Sequence, residues 1–106
     1  MRRFEAEGVI TQGFLNAYGL QSEWERLQAM ELWGYGRFVI AMKAGVPQSY
    51  WSYENTRFPS YFCDFGREAV DDLGVEWDSY VVIDYLKKSD GLVYWSLEGG
   101  GYKSAS

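Results

Sequence analysis

The sequence predicts a small α+β domain, mostly helical in its N-terminal two-thirds and closed by a C-terminal antiparallel β-hairpin. Three observations carry that expectation. Ser22-x-x-Glu25 reads as a capping box, in which each side chain satisfies the other residue's free backbone N–H. Arg67 to Leu73, stopped by Gly74, reads as a short acidic helix. Trp77, Ser79, Val81, Ile83 and Tyr85 alternate with Asp78, Tyr80, Val82, Asp84 and Leu86. Lys87 to Gly91 then supply turn chemistry, and Leu92 to Leu97 form a second strand candidate.

Taken in order, residues 2–20 admit two readings. Phe4, Ala6, Gly8 and Ile10 alternate with Glu5 and Glu7 as in a short strand, while Val9 to Tyr18 reads equally as a helix with Ile10, Phe14 and Leu15 on one side. Gly19 closes the segment. The Ser22 helix sets Leu20, Trp24, Leu27 and Met30 in an apolar stripe and turns Glu23, Glu25, Arg26, Gln28 and Glu31 to water, until Gly34 and Gly36 break it. Arg37 to Ala44 carries the run Phe38 to Met42. Gly45 and Pro47 behind it are helix-stop signals, so a helix is expected. A further short helix is expected after Pro47, then a loop around Asn55 to Pro59. Residues 47–68 contain no Leu, Ile, Val or Met and carry Tyr50, Trp51, Tyr53, Phe58, Tyr61, Phe62 and Phe65, which reads as an aromatic layer over the core. The whole chain, 1–106, reads as one compact domain with 99–106 as a flexible tail.

Twenty aromatics stand against nineteen Leu, Ile and Val together. A small interior does not hide so many large rings, so some are expected at an interface. There is no histidine and a single cysteine, Cys63. That removes the usual general base, the commonest metal ligand and any intramolecular disulfide. No metal site and no cofactor are expected, and Cys63, among aromatics and beside Asp64, reads as an inert thiol. Met-Arg-Arg-Phe-Glu carries no apolar signal core and no run is long enough to span a bilayer, so the expected location is the cytoplasm.

Charge is segregated. Residues 1–63 hold six acids and six bases, and residues 64–106 hold nine acids and four bases, which is the whole net charge of −5. Asp64, Glu68, Asp71, Asp72, Glu76, Asp78 and Asp84 stand against one Arg67. Such a block repels nucleic acid and membrane surfaces and attracts basic partners. It also suits the role of a phosphate mimic in another protein's basic groove, because backbone contacts there read mainly charge and spacing. The plain alternative is a solvated face. Carboxylate pairs such as Asp71 and Asp72 suit acid–base catalysis only inside a cleft, and Asp71, Asp72, Glu76 and Asp78 lack the alternation and central glycine of a calcium loop. Gly99-Gly100-Gly101 has no helix after it and is not a phosphate loop.

Residues from Glu68 onward also resemble a winged helix-turn-helix. Glu68-Ala69 through Leu73-Gly74-Val75 looks like its first helix and turn, and Gly91-Leu92-Val93 to Gly99–Tyr102 like its wing. That alternative would place Glu76, Asp78 and Asp84 on the DNA-reading element, where carboxylates oppose phosphates.

The expected function is a non-enzymatic acidic protein-binding module that docks on, and inhibits, a larger protein with a basic, nucleic-acid-binding surface. It binds no nucleic acid directly and no membrane. The expected contact residues are Asp64, Glu68, Asp71, Asp72, Glu76, Asp78 and Asp84, with Trp51, Tyr53 and Trp77. In size, acidity and missing catalytic groups the chain resembles, in general character alone, small phage-borne anti-defence inhibitors such as anti-CRISPR proteins. An immunity or antitoxin protein that neutralises a toxin has the same profile. An aromatic-lined module for a small ligand or carbohydrate is the third reading.

Overall fold

The structure, a computed structural model, describes residues 4–55 and 66–103. It is built on one five-stranded antiparallel sheet in the order β1-β5-β4-β2-β3. The strands are β1 (Gly8–Val9), β2 (Tyr35–Lys43), β3 (Val46–Asn55), β4 (Ser79–Lys87) and β5 (Val93–Tyr102). The described helices are short: α1 (Gln12–Ala17), α2 (Trp24–Ala29) behind a 3₁₀ turn at Gln21–Glu23, and α3 (Gly66–Asp72).

The expectation of a mostly helical N-terminal two-thirds is therefore wrong, and the error sits in residues 35–55. Phe38 to Met42 is an apolar run because β2 is an inner strand with both faces covered, not because it is a helix. Phe38 and Ile40 face the cluster of Leu15, Leu20, Leu27 and Tyr85, while Val39 and Ala41 face Ala69, Val70, Trp77 and Val82. Gly45 stops no helix. Ala44 (φ 50°) and Gly45 (φ 78°) are the two left-handed residues of a tight hairpin turn between Lys43 and Val46. Pro47 then lies on β3, the outer strand of the order, where a missing N–H is tolerated.

Other local signals are redirected by their surroundings. The Ser22 capping box does not form, because α2 starts at Trp24 with no side-chain cap and Ser22 Oγ lies 3.1 Å from the Tyr50 hydroxyl instead. The first segment keeps both of its readings. β1 pairs Gly8 with Trp95 and Val9 with Tyr94, and Thr11 then caps α1 by accepting from Phe14 N at 3.1 Å.

Strands β4 and β5 pair antiparallel, with Ile83 opposite Leu97. They are not an appended hairpin, since β4 also pairs with β2 along its length, Tyr35 opposite Leu86 through Met42 opposite Ser79. Residues 79–87 are strand, so the recognition helix of a winged helix-turn-helix is absent there. Gly99 to Tyr102, expected in a flexible tail, are the last residues of β5. Phe58, Tyr61, Phe62, Cys63, Asp64 and Phe65 lie outside the described residues, and with them four of the seven rings of the expected aromatic layer.

Two glycines are required by neighbouring rings. Tyr85 is fully buried and stacks on Phe38 at 4.6 Å, lying across Gly36, where an added Cβ would stand 2.2 Å from its ring. Tyr80 lies in the same way over Gly66 of α3, at 2.5 Å from an added Cβ. Gly36→Ala is expected to cost about 1–3 kcal/mol or more, because neither inner strand has room to move. Urea denaturation followed by tryptophan fluorescence measures it, and an unchanged midpoint contradicts the ring-over-glycine packing.

Candidate functional site

The acidic segment folds around one indole. α3 buries Gly66, Ala69 and Val70 against β2 and β4 and leaves Arg67, Glu68, Asp71 and Asp72 exposed. After Gly74 (φ 69°) the chain turns back, and Trp77 inserts under α3. Its Nε1 donates to Asp71 Oδ1 at 3.2 Å. Arg67 Cζ and Lys103 Nζ sit 5.8 and 5.1 Å from its ring centre, within cation–π range. Asp78 is held by three bonds: its N–H donates to Met42 O, its carboxylate accepts from Ala44 N at 2.8 Å, and its C=O accepts from Lys103 N. Glu76 pairs with Lys43 at 2.5 Å, and that bond holds its carboxyl below the usual range. With Glu76 83% and Lys43 48% exposed, the pair contributes little to stability.

The expected contact residues therefore separate into three groups. Glu68, Asp71, Asp72, Glu76 and Asp78 are exposed on one continuous segment. Trp77 is 4% exposed and serves as the segment's anchor, not as a contact surface, because its ring fills the space between α3 and the sheet. Asp84 is wholly buried, which corrects its place in the acidic surface. It accepts from Arg37 Nε at 2.6 Å, from a second Arg37 nitrogen at 3.1 Å and from the Tyr35 hydroxyl at 2.5 Å. The alternation of Asp84 with Ile83 and Tyr85 reads as solvent-facing only if the other face of the strand is wet, and here both faces are covered. Trp51 and Tyr53 are half-buried on β3, with rings stacked at 5.5 Å, and Trp51 leans on the cluster of Val39 and Trp77. Asp64 lies outside the described residues.

Two polar clusters were not legible in the sequence. Arg26, expected to face water, crosses the sheet's other face to reach Glu23, Ser52, Glu54 and the Tyr85 hydroxyl at 2.9 Å. Burial alone would lower its pKa, but Glu23 and Tyr85 outweigh that and raise it, so it stays charged. Burial also pushes the Tyr85 hydroxyl up, with Arg26 pulling it part of the way back. Lys87, read as a turn residue, is buried and donates to Leu27 O and Gln28 O near the C-terminal end of α2. Among the described residues every buried side-chain polar atom has a partner, no group of three or more acids or Cys is placed to hold a metal, and no helix is long and apolar enough to cross a membrane.

The two kinds of carboxylate are separable by stability. Asp84→Ala removes the buried carboxylate that Arg37 and the Tyr35 hydroxyl both donate to and is expected to cost about 3–5 kcal/mol. Glu68→Ala and Asp72→Ala are expected to stay within about 0.5 kcal/mol of the parent. Chemical denaturation of the three variants checks this, and a neutral Asp84→Ala would place that carboxylate back at the surface. Comparison with protein-family models, with characterised proteins and with solved structures finds no significant match to this chain.

Proposed function

We propose that the protein is a non-enzymatic docking module whose α3–β4 segment engages a basic surface of a larger protein. The observation that supports this is the anchoring of the carboxylate array. Glu68, Asp71, Asp72, Glu76 and Asp78 project from a segment whose other side is pinned by Ala69, Val70 and Trp77 and tied at Asp78 to the β2–β3 turn. Carboxylates on a frame that is already ordered lose little entropy when they meet fixed cations. Asp71 and Glu76 carry internal partners, so Glu68 and Asp72 are the carboxylates most available to a second protein. The interspersed Arg67, Lys43 and Lys103 make the pattern one of alternating charge, which favours a specific groove over any polycation.

Within this reading the partner's basic surface is a nucleic-acid groove, and occupation of it inhibits the partner. This matches the general character of small anti-defence inhibitors and equally that of immunity proteins. The second reading, a sugar- or base-stacking platform, is favoured only by the stacked Trp51–Tyr53 pair, and its contact with the core cluster limits the ring area left to a ligand.

The test begins with capture of a partner from host lysate on the immobilised parent protein and on a Glu68→Gln/Asp72→Asn/Glu76→Gln variant. The captured partner is expected to be basic. Each single neutralisation is expected to slow association about twofold to fivefold, and the triple variant more than about tenfold, with the effect shrinking as salt rises. Competing DNA is expected to displace the protein. Equal association rates for the parent and the triple variant at low salt refute the proposal. For the stacking reading, Trp51→Ala is to be assayed for binding and thermal stability together. A loss of about 2 kcal/mol in binding at unchanged melting temperature would establish an interface role, whereas a fall in melting temperature with binding retained would assign Trp51 to packing.

A further inference from the structure

The outer edge of β5 is covered for only half its length. β1 pairs with Trp95 and Tyr94, and Glu7 N and Ile10 N donate to Trp95 O and Val93 O. The cover ends at Leu97, whose N–H points away from β4 to the Glu7 carboxylate. Farther along, Lys103 N points the opposite way, into the sheet, to Asp78 O at 2.8 Å. A bulge lies between them, at the register shift from Ile83–Leu97 to Val82–Gly99. One extra residue reverses which groups face outward. Beyond the bulge, Gly100 and Tyr102 therefore turn both N–H and C=O to the open edge. Among the described residues no backbone group pairs with them there, and Gly100 is exposed and Tyr102 is 84% exposed. An unpaired strand edge is a template for another strand.

We infer that this edge pairs with the same edge of a second copy of the chain, antiparallel about a two-fold axis at Gly101, joining two sheets into one. Two features favour a copy over a foreign peptide. With Gly101 opposite Gly101, Gly100 of each copy faces Tyr102 of the other, so all eight outward groups pair in four hydrogen bonds and each Tyr102 ring covers a glycine. Shifts that keep the alternation of outward groups pair fewer of them. The charges also match across the same axis. Lys103 lies beside Trp77 and Glu98 accepts from Ser96 Oγ, which places both on the α3 face of the sheet. The symmetric register brings Lys103 of each copy alongside Glu98 of the other, so one pattern is its own complement. Of the docking surface this contact uses only Lys103 and none of the carboxylates, and sedimentation reads the paired edges without any docking partner.

Sedimentation velocity across a concentration series tests it. The parent chain is expected to pass from monomer to dimer with a dissociation constant on the order of 10–100 μM, as so small an interface gives. Tyr102→Pro removes an outward N–H and no β4–β5 bond, and is expected to weaken dimerisation at least about tenfold with unchanged far-UV circular dichroism. Lys103→Glu is expected to weaken it similarly, and the charge swap Glu98→Lys/Lys103→Glu to restore it to within about threefold of the parent. A parent that stays monomeric to about 1 mM overturns the inference. So does a folded Tyr102→Pro that dimerises as the parent does, since another surface is then responsible. Should Tyr102→Pro not fold, the swap decides alone: failure to recover from Lys103→Glu refutes the paired edges.

Discussion

Arg37 and Asp84 face each other across β2 and β4, both almost wholly removed from water, with the Tyr35 hydroxyl as a third member. The arrangement tolerates only one register between the two inner strands. A slip by one residue moves Asp84 to the opposite face, among Phe38, Ile40 and Leu27, and separates the buried carboxylate from its guanidinium. The pair adds little net stability over an apolar replacement of the same shape, since both ions are desolvated. Its contribution is to make the wrong pairings costly. The remaining layout follows from the register it sets: Phe38 opposite Ile83 under α1 and α2, and Val39 opposite Val82 under α3.

The two faces of the sheet are finished differently, and the difference decides where unengaged carboxylates stand. On one side Arg26 spans from α2 to β3 and β4, lies 5.7–6.0 Å from the ring centres of Tyr85 and Phe38, and takes up Glu23 and Glu54. Those two acids are consumed internally, while Glu25 and Glu31 beside them are exposed. On the other side α3 covers a smaller cluster, and its outward acids Glu68 and Asp72 are left to solvent. The uneven charge along the chain thus becomes a directional property of the surface, though a weaker one than the count of acids suggests. Asp84 is buried, Asp71 serves Trp77, Asp78 closes a turn and Glu76 meets Lys43.

Aromatic residues also divide by depth. Tyr35 and Tyr85 are core residues that keep their hydroxyls satisfied by Asp84 and Arg26, which explains how so small a domain hides polar rings. Trp33 is the counterexample at 60% exposure. Its left-handed backbone (φ 65°) is held by an N–H bond to Lys87 O and by the return bond from Lys87 N to Gly34 O. That strained position is the geometry that lets the chain leave α2 and enter β2.

By itself the sequence determined the local punctuation. Gly74 ends α3, Asp90-Gly91 turns β4 into β5, and the alternation from Ser79 to Leu86 marks a strand. It determined the absence of histidine and the segregation of acids as well. Tertiary structure decided the rest. Whether Phe38 to Met42 is a helix or an inner strand depends on what covers its second face, and that cover comes from α3, some thirty residues away. Whether Gly45 stops a helix or turns a hairpin depends on Val46 to Asn55 having a neighbour to pair with. Whether Asp84 is a docking carboxylate or a buried ion depends on Arg37 arriving opposite it, which no local pattern encodes because their separation in sequence is set only by the sheet order. Local signals are energies of about 1 kcal/mol each, and long-range burial of both faces of β2 outweighs them.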